Sequence, residues 1–257
     1  MAGMTSEHAR TLRALHRPGD PLLLPNAWDA DTARLVVEAG YPAVATSSGA
    51  VAAALGFSDH EAAPADAMLD AAARIAAAVD VPVTVDAEAG YGLEPEVLAD
   101  RLLALGAAGC NLEDTDHKTG ELRPIAEQAA FLRTVRRAAG RSLVLNARID
   151  VFVASFPDPA ADQSAFLGDA LDRAAAYLDA GADCVYPILV RSADLAAQFV
   201  SAANAPVNLL AHPMTFPPDA ARAAGAARIS LGTGLWRAQR LWLREQLGEL
   251  RLGRLPN

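Results

Sequence analysis

The residues best equipped for chemistry are mostly acidic and fall in four short runs. Asp86-Ala87-Glu88 precedes Gly90-Tyr91-Gly92, Glu113-Asp114 follows Asn111-Leu112, Arg148-Ile149-Asp150 follows Asn146-Ala147, and Ser47-Ser48-Gly49 precedes Asp59. Taken alone, each carboxylate would serve equally well as a cap for a following helix or as a partner for an arginine. Three or four of them in one place repel one another unless a cation sits among them. An oxygen-only donor set favours Mg2+, with Mn2+ the alternative. Asp86, Glu88 and Glu113 are the candidate ligands. Arg148 offers a planar fork to a carboxylate or phosphate, and Ser47, Ser48 and Gly49 add hydroxyls and backbone donors, so the implied partner is a small anion. Histidine titrates near neutrality, which makes His117 and His212 candidates to move a proton. Tyr91 is a candidate donor to an oxyanion and equally a packed tyrosine. His8, His16 and His60 read as surface residues.

These residues can meet only if something brings their runs together. Short apolar, β-branched runs begin near Leu22, Ala43, Val81, Gly109, Leu143, Asp183, Pro206 and Ala227, and alternate with stretches of helical period. Met68, Ala72, Ile75 and Val79, and again Leu167, Leu171, Ala174 and Leu178, each mark one apolar helix face. Gly40, Gly106, Gly140, Gly181 and Gly225 stand where such stretches stop. Eight strand–helix pairs in 257 residues predict a single-domain parallel (β/α)8 barrel, with its core over about residues 20–240. An open doubly wound sheet is the alternative. The turn after the first strand, Pro25-Asn26-Ala27-Trp28-Asp29, lacks the glycine fingerprint of a dinucleotide-binding sheet. In a barrel the carboxyl ends of the strands form the active face, which is where all four runs and His212 fall, with Ser47-Ser48-Gly49 read as the end of the second strand. Residues 155–163, with Pro157 and Pro159, read as one loop after the fifth strand.

Composition removes several other classes. Thirty-one acids against 22 bases give a net charge of -9, which disfavours nucleic acid and anionic membrane as partners. No long uncharged apolar run suggests a membrane span or a secretion signal, so a cytoplasmic protein is expected. Cys110 and Cys184 have neither metal-site nor disulfide-framework spacing and read as small buried apolar residues.

Over residues 22–235 the chain resembles the isocitrate lyase and phosphoenolpyruvate mutase superfamily. The resemblance is carried by Asp86-Ala87-Glu88-Ala89-Gly90-Tyr91-Gly92, then Leu112-Glu113-Asp114, then Ala147-Arg148-Ile149-Asp150, with Ser47-Ser48-Gly49-Ala50, Leu55-Gly56 and Asp59 similar to the family's substrate loop. It implies a Mg2+-dependent barrel that grips a 2-oxo acid and stabilises an enolate. It further implies that Asp86 binds the metal directly, and that Glu88 and Glu113 act directly or through water. Asp59 supports that shell, while Arg148 with Ser47, Ser48 and Gly49 holds the substrate. The family assembles into tetramers whose last helix packs on a neighbour. Residues 236–250, apolar at Leu241, Leu243, Leu247 and Leu250, suit that part or equally an ordinary barrel helix, so a dimer or tetramer is expected.

The departures from the family narrow the reaction. Isocitrate and methylisocitrate lyases carry a catalytic cysteine in the loop after strand four. Here that loop is Thr115-Asp116-His117-Lys118-Thr119-Gly120, with no cysteine and only Lys118 to supply the basic character. The longer, asparagine-bearing loop of the phosphonomutases is also missing. After strand six, Tyr186-Pro187-Ile188-Leu189 lacks the acid or histidine that several members place there. The leading expectation is therefore a carbon–carbon lyase or decarboxylase for a small 2-oxo or 2-hydroxy acid. A carbon–phosphorus mutase or hydrolase, and a barrel that binds 2-oxo acids with little catalysis, are the alternatives.

Overall fold

The computed structural model of the chain describes residues 2–158, 160–213 and 215–255, with side chains from Thr5 onward. Pro159, part of the loop read after the fifth strand, lies outside the described residues. That loop is flanked by short 3-10 turns at Val153–Ser155 and Gln163–Phe166.

Eight parallel strands form the barrel: β1 (Leu22–Leu24), β2 (Val44–Thr46), β3 (Val83–Asp86), β4 (Gly109–Glu113), β5 (Val144–Ile149), β6 (Cys184–Pro187), β7 (Asn208–Leu210) and β8 (Arg228–Ser230). Each begins within two residues of its expected position. β1 is continued past Pro25 by Asn26–Ala27, and the break lets one strand serve two neighbours. Leu22 to Leu24 pair with β8, while Asn26 and Ala27 pair with Ala45 and Thr46 of β2. A parallel bridge between Val185 and Val207 joins β6 to the β7 side, so the ladder runs all the way round. Eight short strands, three to six residues each, suffice because a closed barrel leaves no edge to protect.

The helices are α1 (Ala2–Leu15), α2 (Ala30–Glu38), α3 (Ser48–Leu55), α4 (Ala65–Ala76), α5 (Pro95–Ala104), α6 (Ile125–Ala139), α7 (Leu167–Asp179), α8 (Ala193–Ala203), α9 (Pro218–Ala223) and α10 (Gly234–Arg251). α3 departs from the expected layout, in which Ser47, Ser48 and Gly49 prolong the second strand. The run Ser48-Gly49-Ala50-Val51-Ala52-Ala53-Ala54-Leu55 has strong helix formers and starts just after Ser47 at the N-cap, so the chain turns helical at the barrel mouth. Among the described residues no helix is long and apolar enough to cross a membrane.

α1 plugs the amino-terminal end of the barrel. Ala9 and Leu12 are fully buried against Leu24, Ala43, Ala108 and Val144. A Cβ on Gly109 would lie 2.8 Å from the Val144 carbonyl oxygen and 2.9 Å from Leu12, which is why the fourth strand opens on glycine. Arg13 donates to Asp183 at 2.7 Å, and Arg136 and the Leu145 N–H reach the same carboxylate at 2.5 and 2.9 Å, holding it below the usual carboxylate range despite burial.

His16, expected at the surface, is buried at the end of this plug, because α1 folds under the barrel instead of lying outside it. Its Nδ1 pairs with the Leu12 carbonyl at 2.7 Å, and burial together with Arg228 lowers its pKa to about 4. The unfolded chain therefore takes up a proton near pH 6.5 that the folded chain refuses until about pH 4. Stability from this group is intact above pH 6.5 and falls by roughly 3 kcal/mol as the pH drops to 4. Urea unfolding at pH 7 and pH 4.5 checks this: His16→Gln should flatten the difference, and an unchanged difference would show that other groups carry it.

Candidate active site

The carboxyl ends of the strands surround a cavity of about 220 Å3. Ser47, Ser48, Gly49, Asp59, Asp86, Glu88, Glu113, Arg148 and His212 all line it. Asp86, last residue of β3, is pinned from the side of α3: its Oδ2 accepts from the Ser48 N–H at 3.0 Å and the Ser48 hydroxyl at 2.8 Å. Its own N–H donates to Thr46 Oγ1 at 2.8 Å. The helical turn at Ser48 is what aims both donors at one oxygen. A Cβ on Gly49 would stand 2.6 Å from an Asp59 carboxylate oxygen, so glycine there lets Asp59 approach.

Below Asp86 the barrel interior is polar. Arg228, fully buried, donates to Asn111 Oδ1 at 3.2 Å, and Asn146 donates to the same oxygen at 2.8 Å. With its oxygen held, Asn111 turns its amide toward Asp86 Oδ1, at 3.4 Å.

Glu88 sits in a left-handed backbone conformation, φ 48°, and its Oε1 accepts from the Glu61 N–H at 2.7 Å. Glu61 in turn accepts from the Tyr91 N–H at 2.5 Å, which clasps the loop after α3 to the loop after β3. His60, Glu61, Tyr91 and Leu189 also have positive φ, so the rim of the cavity concentrates backbone strain that the surrounding contacts must hold. Burial, reinforced by Asp86, Asp59 and Glu113, pushes the Glu88 carboxyl up to about 8.

Glu113 is 2% exposed and is engaged by two side chains, Arg148 and His117. Burial raises its pKa even against Arg148. For His117, burial lowers the pKa but the bond to Glu113 and the nearby acids outweigh it, and the net direction is upward. His212 is lowered by burial and by Arg237.

Arg148 lines the cavity but does not present an empty fork. Its Nε and Nη2 hold the two oxygens of Asp150 at 2.7 and 3.0 Å, and Nη1 pairs with Glu113. Three of its five N–H groups are thus committed, and two remain for a ligand. Asp150 is fixed by the Thr115 hydroxyl at 2.6 Å, and its N–H donates to Asp114 Oδ1 at 2.9 Å. Asp114, fully buried, takes further bonds from Tyr177 at 2.7 Å and Arg173 at 2.9 Å.

Two expected participants stand apart. The Tyr91 hydroxyl donates to the Asp86 carbonyl at 3.2 Å and does not line the cavity, which is the packed alternative for this residue. Lys118 is exposed on a separate groove beside Asp116, Arg123 and Glu127, because the antiparallel hairpin Thr115–Asp116 with Glu121–Leu122 carries it outward. His117, on the same hairpin, bonds Glu113 and does not itself line the cavity.

Conversely, His60, assigned to the surface from sequence, is exposed yet lines the cavity and stacks on His117 at 5.2 Å between ring centroids. Tyr186 and Asn111 line it as strand residues, and Arg237 joins from the first turns of α10. The signal for Arg237 was its place just past the eighth strand end; nothing in its local sequence marks it. Both cysteines are buried in the core, their thiols pushed up to about 12, so neither supplies a thiolate near neutral pH.

Fold and site together define a (β/α)8-barrel enzyme with an acidic, arginine-bearing mouth. Residues 12–251 match the phosphoenolpyruvate phosphomutase family, and the chain belongs to it, within the isocitrate lyase and phosphoenolpyruvate mutase superfamily. A Burkholderia cenocepacia J2315 protein described as a candidate phosphonomutase is 40% identical, with a TM-score of 0.87 over 94% of this chain and 99% of that one. The 2-methylisocitrate lyase of Bacillus subtilis strain 168 is 31% identical over 219 residues, covering 82% of this chain and 68% of its own length. A structure of oxaloacetate acetylhydrolase with its product oxalate is 25% identical, with a TM-score of 0.83 over 96% and 87% of the two chains.

Proposed function

We propose that this protein is a carbon–carbon lyase or decarboxylase for a small 2-oxo or 2-hydroxy carboxylic acid, working through a pyruvate-type enolate with Mg2+ or Mn2+. The observation that carries the reading is the Asp86 carboxylate, pinned by Ser48 at the cavity floor with Glu88, Glu113 and Arg148 around it.

The donors fit such an ion chemically. All are oxygens, and the mutual repulsion that lifts Glu88 is what a cation would relieve. Among the described residues no three acidic, histidine or cysteine side chains stand close enough to enclose an ion, so the fit is to a cation that keeps part of its water, as Mg2+ does. Asp86 would hold it directly, with Glu88 and Glu113 direct or through water and Asp59 behind them. A divalent ion there supplies positive charge to the substrate oxo oxygen as the adjoining bond breaks.

The chain's own groups do the rest. The free N–H groups of Arg148 and the donors of Ser47, Ser48 and Gly49 hold the substrate carboxylate. In a 2-oxo acid that loses carbon dioxide, the electron pair of the broken carbon–carbon bond passes to the pyruvate-type enolate; in a 2-hydroxy acid the hydroxyl first gives its proton to a base, the 2-oxo acid leaves as the carbonyl compound, and the electron pair passes to the enolate of the other fragment. The enolate carbon then takes a proton. His212, lowered and lining the cavity, suits a base near neutral pH; His117, raised by Glu113, is placed to supply a proton only through Glu113, which it touches and which lines the cavity.

The test is pyruvate release from oxaloacetate, 2-methylisocitrate and 2,3-dimethylmalate with Mg2+, against an EDTA control. EDTA-sensitive pyruvate supports the lyase. The 40% identity to the Burkholderia protein favours a second reading, a carbon–phosphorus enzyme, which phosphate release from phosphonopyruvate would establish instead. Oxalate binding without turnover of any of these substrates would leave a 2-oxo-acid-binding barrel.

The same proposal includes a cytoplasmic homo-oligomer. Two buried unpaired cysteines suit a reducing compartment. In α10 no residue is buried, and Leu241, Trp242, Leu243 and Leu247 are each about half exposed, an amphipathic helix that the single chain leaves uncovered. A second copy is the expected cover, giving a dimer or tetramer. Leu243→Glu with Leu247→Glu should shift the species seen by light scattering to the monomer; an unchanged mass would remove this helix from the interface.

A further inference from the structure

Among the described residues two arginines are buried, and they differ in their company. Arg173 lies on Asp114 and Asp169. Arg228, the first residue of β8, is fully buried and has no carboxylate within ion-pair reach. Its side chain crosses the barrel interior toward the opposite strand, β4. On the way its Nε donates to Ser230 Oγ at 3.2 Å, and at the far side its Nη2 donates to Asn111 Oδ1, also at 3.2 Å. Both partners are neutral, and Nη1 meets no acceptor of the chain. A guanidinium keeps its proton even when burial lowers its pKa, as it does here, so a full positive charge stands on the barrel axis without an ion-pair partner.

The ionisable groups that act most on Arg228 are Cys184, Tyr186, Asp86 and Cys110. Burial pushes both thiols up to about 12 and raises the Tyr186 phenol as well, so these three are neutral near pH 7. Asp86 is the fourth, and it stands one hydrogen bond beyond Asn111, whose amide faces Asp86 Oδ1 at 3.4 Å. Arg228 and Asn146 together hold the Asn111 oxygen, so Asn111 can turn only its N–H2 toward Asp86 and cannot offer that oxygen to an ion.

We infer that Arg228 is the fixed counter-charge of the ion site: acting on Asp86 through Asn111 and across the barrel interior, it loosens the hold on a divalent cation and tightens the hold on the anion that binds beside it. A buried positive charge two hydrogen bonds from the carboxylate opposes a second cation there and favours a negative ligand. This rests on the proposed ion site at Asp86 and adds to it the residue, remote from any ligand, that sets how strongly the site binds.

Titration calorimetry on the full chain tests this without turnover, with Mn2+ alone and then with oxalate on the Mn2+-loaded protein. Arg228→Gln keeps a donor for Asn111 and loses the charge. It should bind Mn2+ about tenfold or more tighter than the wild type and oxalate about tenfold weaker, the scale of one unit charge acting over this range inside a protein. Arg228→Lys, which keeps the charge, should leave both affinities within about threefold of the wild type. Opposite movements are the signature of charge, whereas a damaged cavity floor would weaken both ligands together. Mn2+ affinity that is unchanged in Arg228→Gln or falls along with that for oxalate, or a lysine variant that behaves like the glutamine one, would overturn the assignment. Should the arginine variants not fold, Asn208→Asp makes the test by neutralising Arg228 in place, since Asn208 is its register partner on β7 and donates to the same Ser230 Oγ at 3.0 Å. The same opposite shifts would support the assignment, and unshifted or jointly weakened binding would overturn it. Absence of Mn2+ binding from the wild type and every variant would instead overturn the ion site beneath it.

Discussion

Asp86→Asn should lower turnover about a thousandfold while leaving the fold in place. The replacement is isosteric, and the amide oxygen can still accept from the Ser48 N–H and hydroxyl, so little of the local hydrogen bonding is lost. What disappears is the negative charge at the cavity floor. Two readouts separate the explanations: Mn2+ binding by calorimetry should weaken in parallel with turnover, and the thermal midpoint should move by no more than a few degrees. A variant that binds Mn2+ as tightly as the wild type would remove Asp86 from the ion's ligand set. One that unfolds would show that Ser48 and Asp86 form a structural joint instead.

The largest effect on stability is expected from Asp114→Asn. Three donors converge on this carboxylate, from Asp150 N–H, Tyr177 and Arg173. Asparagine offers one acceptor and turns its own N–H2 toward the remaining donors, leaving the Arg173 charge without its fully buried partner. Breaking a buried pair from one side costs about 3–5 kcal/mol, roughly 10 °C in thermal midpoint for a chain of this size. Asp114→Leu with Arg173→Met, which removes both charges, should recover much of the loss. A drop of only a degree or two in the single variant would mean that water reaches the pair. The damage should also reach the site, because the Asp150 N–H held by Asp114 fixes the carboxylate that fixes Arg148. A raised KM for carboxylate substrates would accompany the lost stability.

Much of this architecture was legible in the residue order. Alternation of β-branched runs with helical period located all eight strands, and the glycines taken as helix stops all adopt positive φ. The acids were legible for the same reason: a barrel brings every strand's carboxyl end to one face, so Asp86, Glu113 and Arg148 had to converge whatever their separation in sequence. Family resemblance then followed from the same motifs.

Other features were not legible, and they share a cause. That Arg148 spends its fork on Asp150, that Glu113 is shared between Arg148 and His117, and that Asp114 ties β4 to α7 are pairings between particular atoms. Periodicity fixes which face a side chain takes, not which partner it meets there. His16 is buried, and the exposed His60 faces the cavity, because the α1 plug and the loop after α3 are placed by tertiary contacts, Leu12 against the barrel floor and Glu61 against Glu88 and Tyr91. By itself the sequence determined the barrel, its family and the acids at its mouth, since these depend on local pattern and strand order. Only the tertiary structure decided which charges are already paired, because pairing depends on distances that close only when the barrel does.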